Sequence, residues 1–540
     1  MDEEVKNHDS HADSDHKPTT ASASQTNPSA QNSVCDELRE PSIPPARFWA
    51  LCVGIGVDFE VLEDVNWVAL AYTLAYLGCA IVFARISDIV GRRDAFIAAY
   101  IIFFVFSLAC GFSQTLNQLI AFRALQGVGG SGLYALTMIM MPELSPDNLK
   151  QHMAAMVGLV ITVSGVMGPV LGGILTHYSS WRWVFWINGP VGFVSLIIFA
   201  FAWPKAEYLP SQQRRAWKEL DFLGSFLAIA AAVLIVFSFQ NAGTEPSNQG
   251  WKTALFIVPL ACGLFACGLL VSWQIFIQHR WYDRFAPAFP VNIFRSRVYS
   301  TAVVNTLLNG FPYLLLIYAI PLRFQVVSGK SALIAGVMLL PMLGASAIGS
   351  VVAGKINNTK NYTFESLLIG SCFMTLGCGL LVSLPHESGD AKLLGYMTFC
   401  GLGFGLTVAS STMLSMVEVP IRDYAPAQGI LSQVRLLGGS LGIAASSALL
   451  NEKSSQYLAG ILTPYEQATI GNIPLSDEQW SAVRYTYADA FKVEMKIATA
   501  VAACSVVAAF GAFRKQRLLI AEQRATVVAE EAARRRDQAT

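Results

Sequence analysis

The stretch Ala84-Arg85-Ile86-Ser87-Asp88-Ile89-Val90-Gly91-Arg92-Arg93 lies between two apolar segments of membrane length. A short cation-rich turn between two such segments fixes how a chain sits in a bilayer, because Lys and Arg are retained on the cytosolic side. The same turn sets one carboxylate, Asp88, among arginines at the helix ends. Apolar windows of this kind recur along nearly the whole chain, which is 54% hydrophobic and 14% charged; soluble globular chains carry about 25% charged residues. About 20 apolar residues suffice to cross a hydrocarbon core of about 30 Å. Lipid offers no hydrogen-bond partner to an open backbone, so these windows are predicted to be helices.

Thirteen spans are predicted, near residues 67–83, 95–112, 119–141, 153–176, 184–203, 222–240, 254–277, 300–322, 333–353, 366–384, 393–414, 430–450 and 495–513. One alternating set of loops carries Arg85, Arg92 and Arg93, then Lys150, then Lys205, Arg214, Arg215 and Lys218. It continues with Arg280, Arg284, Arg295 and Arg297, then Lys355 and Lys360, then Arg422, and Arg514, Lys515 and Arg517 fall on the same side. This set is placed in the cytosol. The long connection at 451–487 is then expected to face outward, and the sequons at Asn357 and Asn361 are expected to stay cytosolic and unglycosylated. Residues 1–44 are polar without an apolar period and read as a disordered tail. The remaining organisation is an N-terminal helix bundle at 45–204, two extra central spans with linkers at 205–298, a C-terminal helix bundle at 299–513 and a charged cytosolic tail at 514–540.

Several function classes fall away. The formal net charge is zero, which leaves no electrostatic footprint for a nucleic-acid partner. Cysteines such as Cys52, Cys79, Cys110, Cys262, Cys267 and Cys372 are scattered, mostly in apolar segments, without a C-x-x-C pair. They read as small apolar residues, not as a disulfide framework or a metal site. Histidines such as His152, His177, His279 and His386 stand at span edges or in loops, which argues against haem or di-iron chemistry. Gly349 to Lys355 has the phosphate-loop spacing, but Ile356 stands where Ser or Thr is required. Gly127, Gly129 and Gly132 spell G-x-G-x-x-G with no preceding strand, so small-residue helix packing explains them better than a nucleotide. No enzyme activity and no cofactor are expected, and the energy source is expected to be an ion gradient.

Two further motifs follow the opening turn: Arg123-Ala-Leu-Gln126-Gly127-Val-Gly129-Gly130 and Gly165-Val-Met-Gly168-Pro169-Val-Leu-Gly172-Gly173. Downstream stands Trp181-Arg182-Trp183-Val-Phe185-Trp-Ile187-Asn188-Gly-Pro190. On these strings the chain resembles the major facilitator superfamily of secondary transporters, and within it the fourteen-span drug:proton antiporters of fungal type. The first position of the opening motif is Ala84, where the family usually has Gly. The resemblance implies that Arg85, Asp88, Gly91, Arg92 and Arg93 form a cytosolic gating loop. It assigns Arg123, with Gln126, to proton coupling or the cavity. A charge inside an apolar span is costly, so Arg123 should face the bundle interior with a partner; a structural arginine bonded to carbonyls is the alternative. Gly165, Gly168, Pro169, Gly172 and Gly173 resemble the antiporter motif, whose glycines give a flat packing face and whose proline bends the helix.

The second half matches more diffusely, through Pro321-Leu322-Arg323-Phe324-Gln325 and Arg435-Leu-Leu-Gly438-Gly439-Ser440-Leu441-Gly442. Asn305 and Asn309 are four apart and share a helix face. With Gln325 and Arg435 they are candidate cavity residues, although polar contact between helices explains the asparagines equally well. The start of the helical region is short. Residues 48–57 are apolar for ten positions, and Asp58, Glu60, Glu63 and Asp64 follow at once. The resemblance implies a full first span here, so about one helix is missing between residues 55 and 56; the rival reading is thirteen genuine spans with an outward N-terminus.

The expected fold is therefore an all-α polytopic membrane protein of the major facilitator type, two six-helix bundles with two inserted central spans. The expected activity is alternating-access export of small amphipathic organic compounds (a toxin, drug or secondary metabolite) in exchange for protons. Uptake or vacuolar storage of basic amino acids or iron chelates is one alternative, and a transport-inactive truncated product is another. The expected partners are the substrate, protons and the lipid bilayer, in a monomer at the plasma membrane, with the vacuolar membrane as the other location.

Overall fold

The structure is a computed structural model that describes residues 66–144, 160, 164, 182–204, 221–244, 252–280, 289–330, 332–359, 361–385, 390–420, 423–458, 460–462 and 476–514. Its helices are α1 (Asn66–Val90), α2 (Arg92–Phe112), α3 (Leu116–Leu144), α4 (Arg182–Trp186), α5 (Asn188–Ala202), α6 (Phe222–Thr244) and α7 (Ala254–Arg280). They continue as α8 (Arg297–Val326), α9 (Ala332–Val337), α10 (Leu340–Thr359), α11 (Thr363–Val382), α12 (Asp390–Glu418), α13 (Tyr424–Leu458) and α14 (Asp477–Ala509). Among the described residues there is no strand. Twelve of the thirteen expected spans coincide with these helices, and the span at 153–176 lies outside the described residues. Among the described residues, ten helical segments are long and apolar enough to cross a membrane. The two long helices outside that group, α3 and α13, carry Arg123 and Arg435.

Two expected spans are interrupted. The span at 184–203 turns at Ile187, between α4 and α5, and that at 333–353 breaks between Val337 and Leu340. Pro190 and Pro341 stand in the first turn of the new helix in each case, where the missing proline N–H costs no hydrogen bond. The long outward connection at 451–487 is shorter than expected, because α13 runs on to Leu458 and α14 starts at Asp477. Ser476 and Gln479 form a reciprocal capping box, and Asp477 and Glu478 complement the helix N-terminus. Leu458, Leu462 and Val483 pack together at this end, and Lys453 pairs with Asp489 at 2.9 Å. Polar composition hid these turns from hydropathy, since they are held by a small apolar cluster and an ion pair rather than by lipid.

The core is divided in two. One cluster joins α1, α2, α3 and α5 through Phe83, Phe96, Phe103, Leu136 and Phe199. A second joins α8 to α14 through Leu316, Met342, Met374, Phe404 and Met495. The glycines of α3 set the first cluster: a Cβ on Gly127 would meet the Tyr72 carbonyl of α1, and one on Gly129 would meet the Phe103 backbone of α2. These glycines let three helices approach closely, which is the packing role expected of them.

The central pair α6 and α7 is closed by Asp221. This buried carboxylate accepts from the Gly224 N–H at 2.7 Å, from Trp273 Nε1 at 2.8 Å and from Gln274 Nε2. It caps α6 and holds α7 to it at once. Asp221→Ala leaves the Trp273 and Gln274 donors unsatisfied, at a cost of about 1–3 kcal/mol for each such buried group. The variant is expected to lose thermal stability, measured by size-exclusion of the tagged protein after heating. Helix α6 also packs against both α1 and α13, so the pair touches both halves.

Candidate functional site

The turn between α1 and α2 is built on Gly91, whose φ of 111° is a conformation that side chains with a Cβ avoid. It stops α1 at Val90 and lets α2 begin at Arg92. Asp88 then pairs with Arg92 at 2.7 Å and with Arg85 at 3.4 Å. Arg92 also donates to Ser87. Arg85 is 1% exposed and reaches Asp423 at 3.8 Å, in the turn before α13. The motif thus links the two halves of the molecule. Arg93 is exposed.

Behind this ionic layer lies an apolar seal. Ile81 of α1 packs with Tyr299, Val303, Val419, Ala427, Ile430 and Leu431 of the second half. The Tyr299 hydroxyl donates to the Ala427 carbonyl at 3.0 Å. One step deeper, Gln433 Nε2 donates to the Leu77 carbonyl at 2.8 Å. Helix α13 therefore lies antiparallel on α1 from Asp423 to Gln433, and the halves are closed together at the Arg85 end.

Beyond Gln433 the contact passes to α3. Arg435 donates to the Tyr134 hydroxyl at 3.0 Å. Tyr134 belongs to an aromatic row, with Tyr76 at 6.0 Å and Tyr72 at 5.8 Å from Tyr76, centroid to centroid. The Arg123 guanidinium lies 4.5 Å from the Tyr72 centroid and 5.5 Å from that of Phe185. It donates to Gln126 Oε1 at 2.9 Å. Arg123 and Gln126 are thus in contact and buried.

The other expected cavity residues separate. Asn305 donates to Ser371 Oγ at 3.0 Å and to the Ser505 carbonyl at 2.9 Å. Asn309 donates to Asn305 Oδ1 at 2.9 Å. Both asparagines sit buried where α8 meets α11 and α14, and polar contact between helices describes them. Gln325 is exposed near the end of α8 and donates to the Pro321 carbonyl at 3.3 Å. Neither arrangement puts these side chains with Arg435. The short segment at 48–57 and the motif residues Gly165, Gly168, Pro169, Gly172 and Gly173 lie outside the described residues.

Sequence reasoning missed three participants. Asp423 stands in a short polar turn with no motif around it. The tyrosine row needs helix rotation to be seen, although Tyr72 and Tyr76 at four-residue spacing are a partial signal. Glu494 is the third: it is 4% exposed and accepts from Ser446 Oγ at 2.8 Å between α13 and α14. A lone glutamate at the edge of an apolar run was the available signal. Outside the spans, the Asp489 hydrogen bond raises the Lys453 pKa above the usual lysine value.

Comparison with known proteins agrees with this geometry. Residues 53–443 match the Major Facilitator Superfamily. The chain is 33% identical to the MFS-type transporter FPY5 of Fusarium mangiferae, over 80% of this chain and 74% of that one. It is 31% identical to multidrug resistance protein 3 of Bacillus subtilis, over 72% and 73%. It is 29% identical to the efflux pump roqT of Penicillium rubens, over 76% and 79%. In fold it is similar to the crystal structure of a bacterial homologue of the human lysosomal transporter Spinster, with a TM-score of 0.51 at 14% identity over 89% of this chain and 97% of that one. The matched length, the two packed halves and the charged turn that joins them place the chain in the Major Facilitator Superfamily.

Proposed function

We infer that the protein is a secondary transporter that exports small organic compounds, and that it does so in exchange for protons by alternating access. The carrying observation is the Arg85–Asp423 contact across the halves, with the apolar seal behind it. Such a latch must break for the halves to rock, so it couples the Asp88 turn to which side is open. The names of the relatives, efflux pumps and multidrug resistance proteins among them, support the direction of transport. We assign the chain to the fourteen-span drug:proton branch, with the Arg85 end in the cytosol, two six-helix bundles, and α6 and α7 as the inserted spans. The first span at 48–57 is read as shortened, Gly165 to Gly173 as the antiport seal, and the plasma membrane as the location.

Arginine does not titrate in proteins, so Arg123 can respond to a proton but cannot carry one. We assign the carrying role to Glu494, which accepts a hydrogen bond from the neutral Ser446 hydroxyl. The cations on the helices packed around it are engaged elsewhere: Lys453 with Asp489, Arg323 with the Phe491 ring and the Pro385 carbonyl, Arg435 with Tyr134 and Arg297 with the Phe513 carbonyl, while on α14 itself Lys492 and Lys496 stand two residues to either side. On α11 the charged residue is Glu365, in its first turn. A carboxyl group can take up and release a proton within the cycle, as a guanidinium cannot.

The test is transport in vesicles holding the purified protein under an imposed pH gradient. Uphill movement of an amphipathic dye that collapses with the gradient is expected. Glu494→Gln is expected to keep downhill exchange while losing uphill accumulation by tenfold or more. Accumulation that ignores the gradient rejects proton antiport. The shortened first span favours a second reading, a transport-inactive product, and complete absence of flux in correctly folded protein is the result that supports it.

A further inference from the structure

Among the described residues, Arg435 is a cation with no carboxylate in ion-pair contact. It lies half-buried between the halves, its hydrogen-bond partner is the neutral hydroxyl of Tyr134, and its Nε is buried with no acceptor. A guanidinium in a membrane-embedded site normally faces an anion or a set of carbonyls, because leaving it bare is costly. The three helices that meet here offer no carboxylate at its level. The acidic residues of α1, α3 and α13 are Asp88, Glu143 and Glu452, all towards helix ends. Glu452 is 17 residues from Arg435, about 25 Å along the helix. Asp88 is engaged with Arg85 and Arg92.

Next to this cation runs the row Tyr134, Tyr76, Tyr72, with the Arg123 guanidinium over the far ring. Tyr134 and Arg123 are 11 residues apart on α3, about 16 Å. Tyrosine faces favour flat conjugated ligands, in offset or tilted contact. A cation at the end of such a row repels a cationic ligand and attracts an anionic one.

We propose that Arg435, Tyr134, Tyr76 and Tyr72 form a substrate site for aromatic organic anions, a conjugated carboxylate or phenolate whose charge meets Arg435 and whose rings lie along the tyrosines. This rests on the transporter reading and names its substrate class. The site disfavours lipophilic cations. The anion supplies the missing acceptor for Arg435, so its binding competes with the Arg435–Tyr134 contact between the halves. Substrate arrival thereby loosens a bond that holds the closed face together.

Two xanthene dyes test this, because fluorescein and rhodamine 123 share a ring system and differ in charge. Binding to the purified full-length protein in neutral detergent is read by fluorescence polarisation. Fluorescein is expected to bind at least tenfold more tightly than rhodamine 123. Arg435→Gln is expected to abolish that preference, and Arg435→Lys to keep part of it. An Arg435→Gln protein with the wild-type size-exclusion profile is the sample compared, which guards against a folding defect. Equal or tighter rhodamine binding to the wild type overturns the proposal, as does an unchanged preference in Arg435→Gln. Transport in vesicles separates this from the reading beneath it. Preferential fluorescein binding with no flux of any dye rejects transport and leaves the site standing. Flux of dyes without fluorescein preference in binding rejects the site and leaves transport standing.

Discussion

Asp88→Asn is expected to abolish uphill export while the protein still reaches the membrane. Asp88 is shared by Arg85 and Arg92, and Arg85 is fully buried. Removing one partner of a buried pair costs up to about 3–5 kcal/mol, and here less, because Arg85 keeps its contact with Asp423 and Arg92 its bond to Ser87. Each 1.4 kcal/mol or so is tenfold in an equilibrium, so a loss of about that size from the closed state, through a less well-held Arg85, shifts the closed-to-open balance at this end by about tenfold. The variant is expected to rest with the Arg85 end open. The check is a cysteine at Ile81, in the apolar seal, probed from the cytosolic side with a thiol reagent that does not cross membranes. Reactivity should be low with Asp88 present and high in Asp88→Asn. Asp423→Asn should give the same direction with a smaller change, since its contact with Arg85 is longer, at 3.8 Å. Unaltered labelling in both variants means that the ion pairs do not hold this face shut.

Gly405→Ala is expected to do comparable damage by a different route, through folding. A Cβ on Gly405 would overlap the Ser346 carbonyl, and one on Gly401 would overlap the Met342 carbonyl. The two glycines are four apart, so they form one face of α12 on which the α10 backbone lies directly. Overpacking costs about 1–3 kcal/mol where side chains can move aside, and here the obstacle is backbone, which cannot. A loss of that size lowers the amount of folded protein several-fold. The measurement is the yield and heat tolerance of the tagged protein in detergent. Gly395→Ala on the same helix, with nothing within 4 Å of the added carbon, is the control and should behave as wild type.

The sequence was most legible where lipid does the selecting. Apolar windows marked the helices well, since a bare backbone in hydrocarbon is too costly to be ambiguous. The Arg85–Arg93 turn was legible because charge and glycine fall together there. What hydropathy could not show is rotation about each helix axis. Asn305 and Asn309 were placed on one face correctly, yet that face turns towards Ser371 and Ser505. Arg123 was visible as a costly charge and Arg435 through its glycine-rich string, while the tyrosine row between them was not, because Tyr72, Tyr76 and Tyr134 become neighbours only when α1 and α3 pack through Gly127. The outward turns of α14 were missed for the opposite reason: they leave the lipid, and a capping box and the pair Lys453–Asp489 hold them instead.

The position of α6 bears on how a compound reaches the interior. A carrier made of two halves has a seam on each side, and an amphipathic molecule dissolved in the bilayer can slip sideways through either. Here α6 packs on α1 and on α13 together, and Ile229 sits against Gly78 of α1. One seam is therefore walled with protein, and Asp221 keeps that wall joined to α7. On that flank a compound dissolved in the bilayer meets packed protein rather than an open groove between the halves.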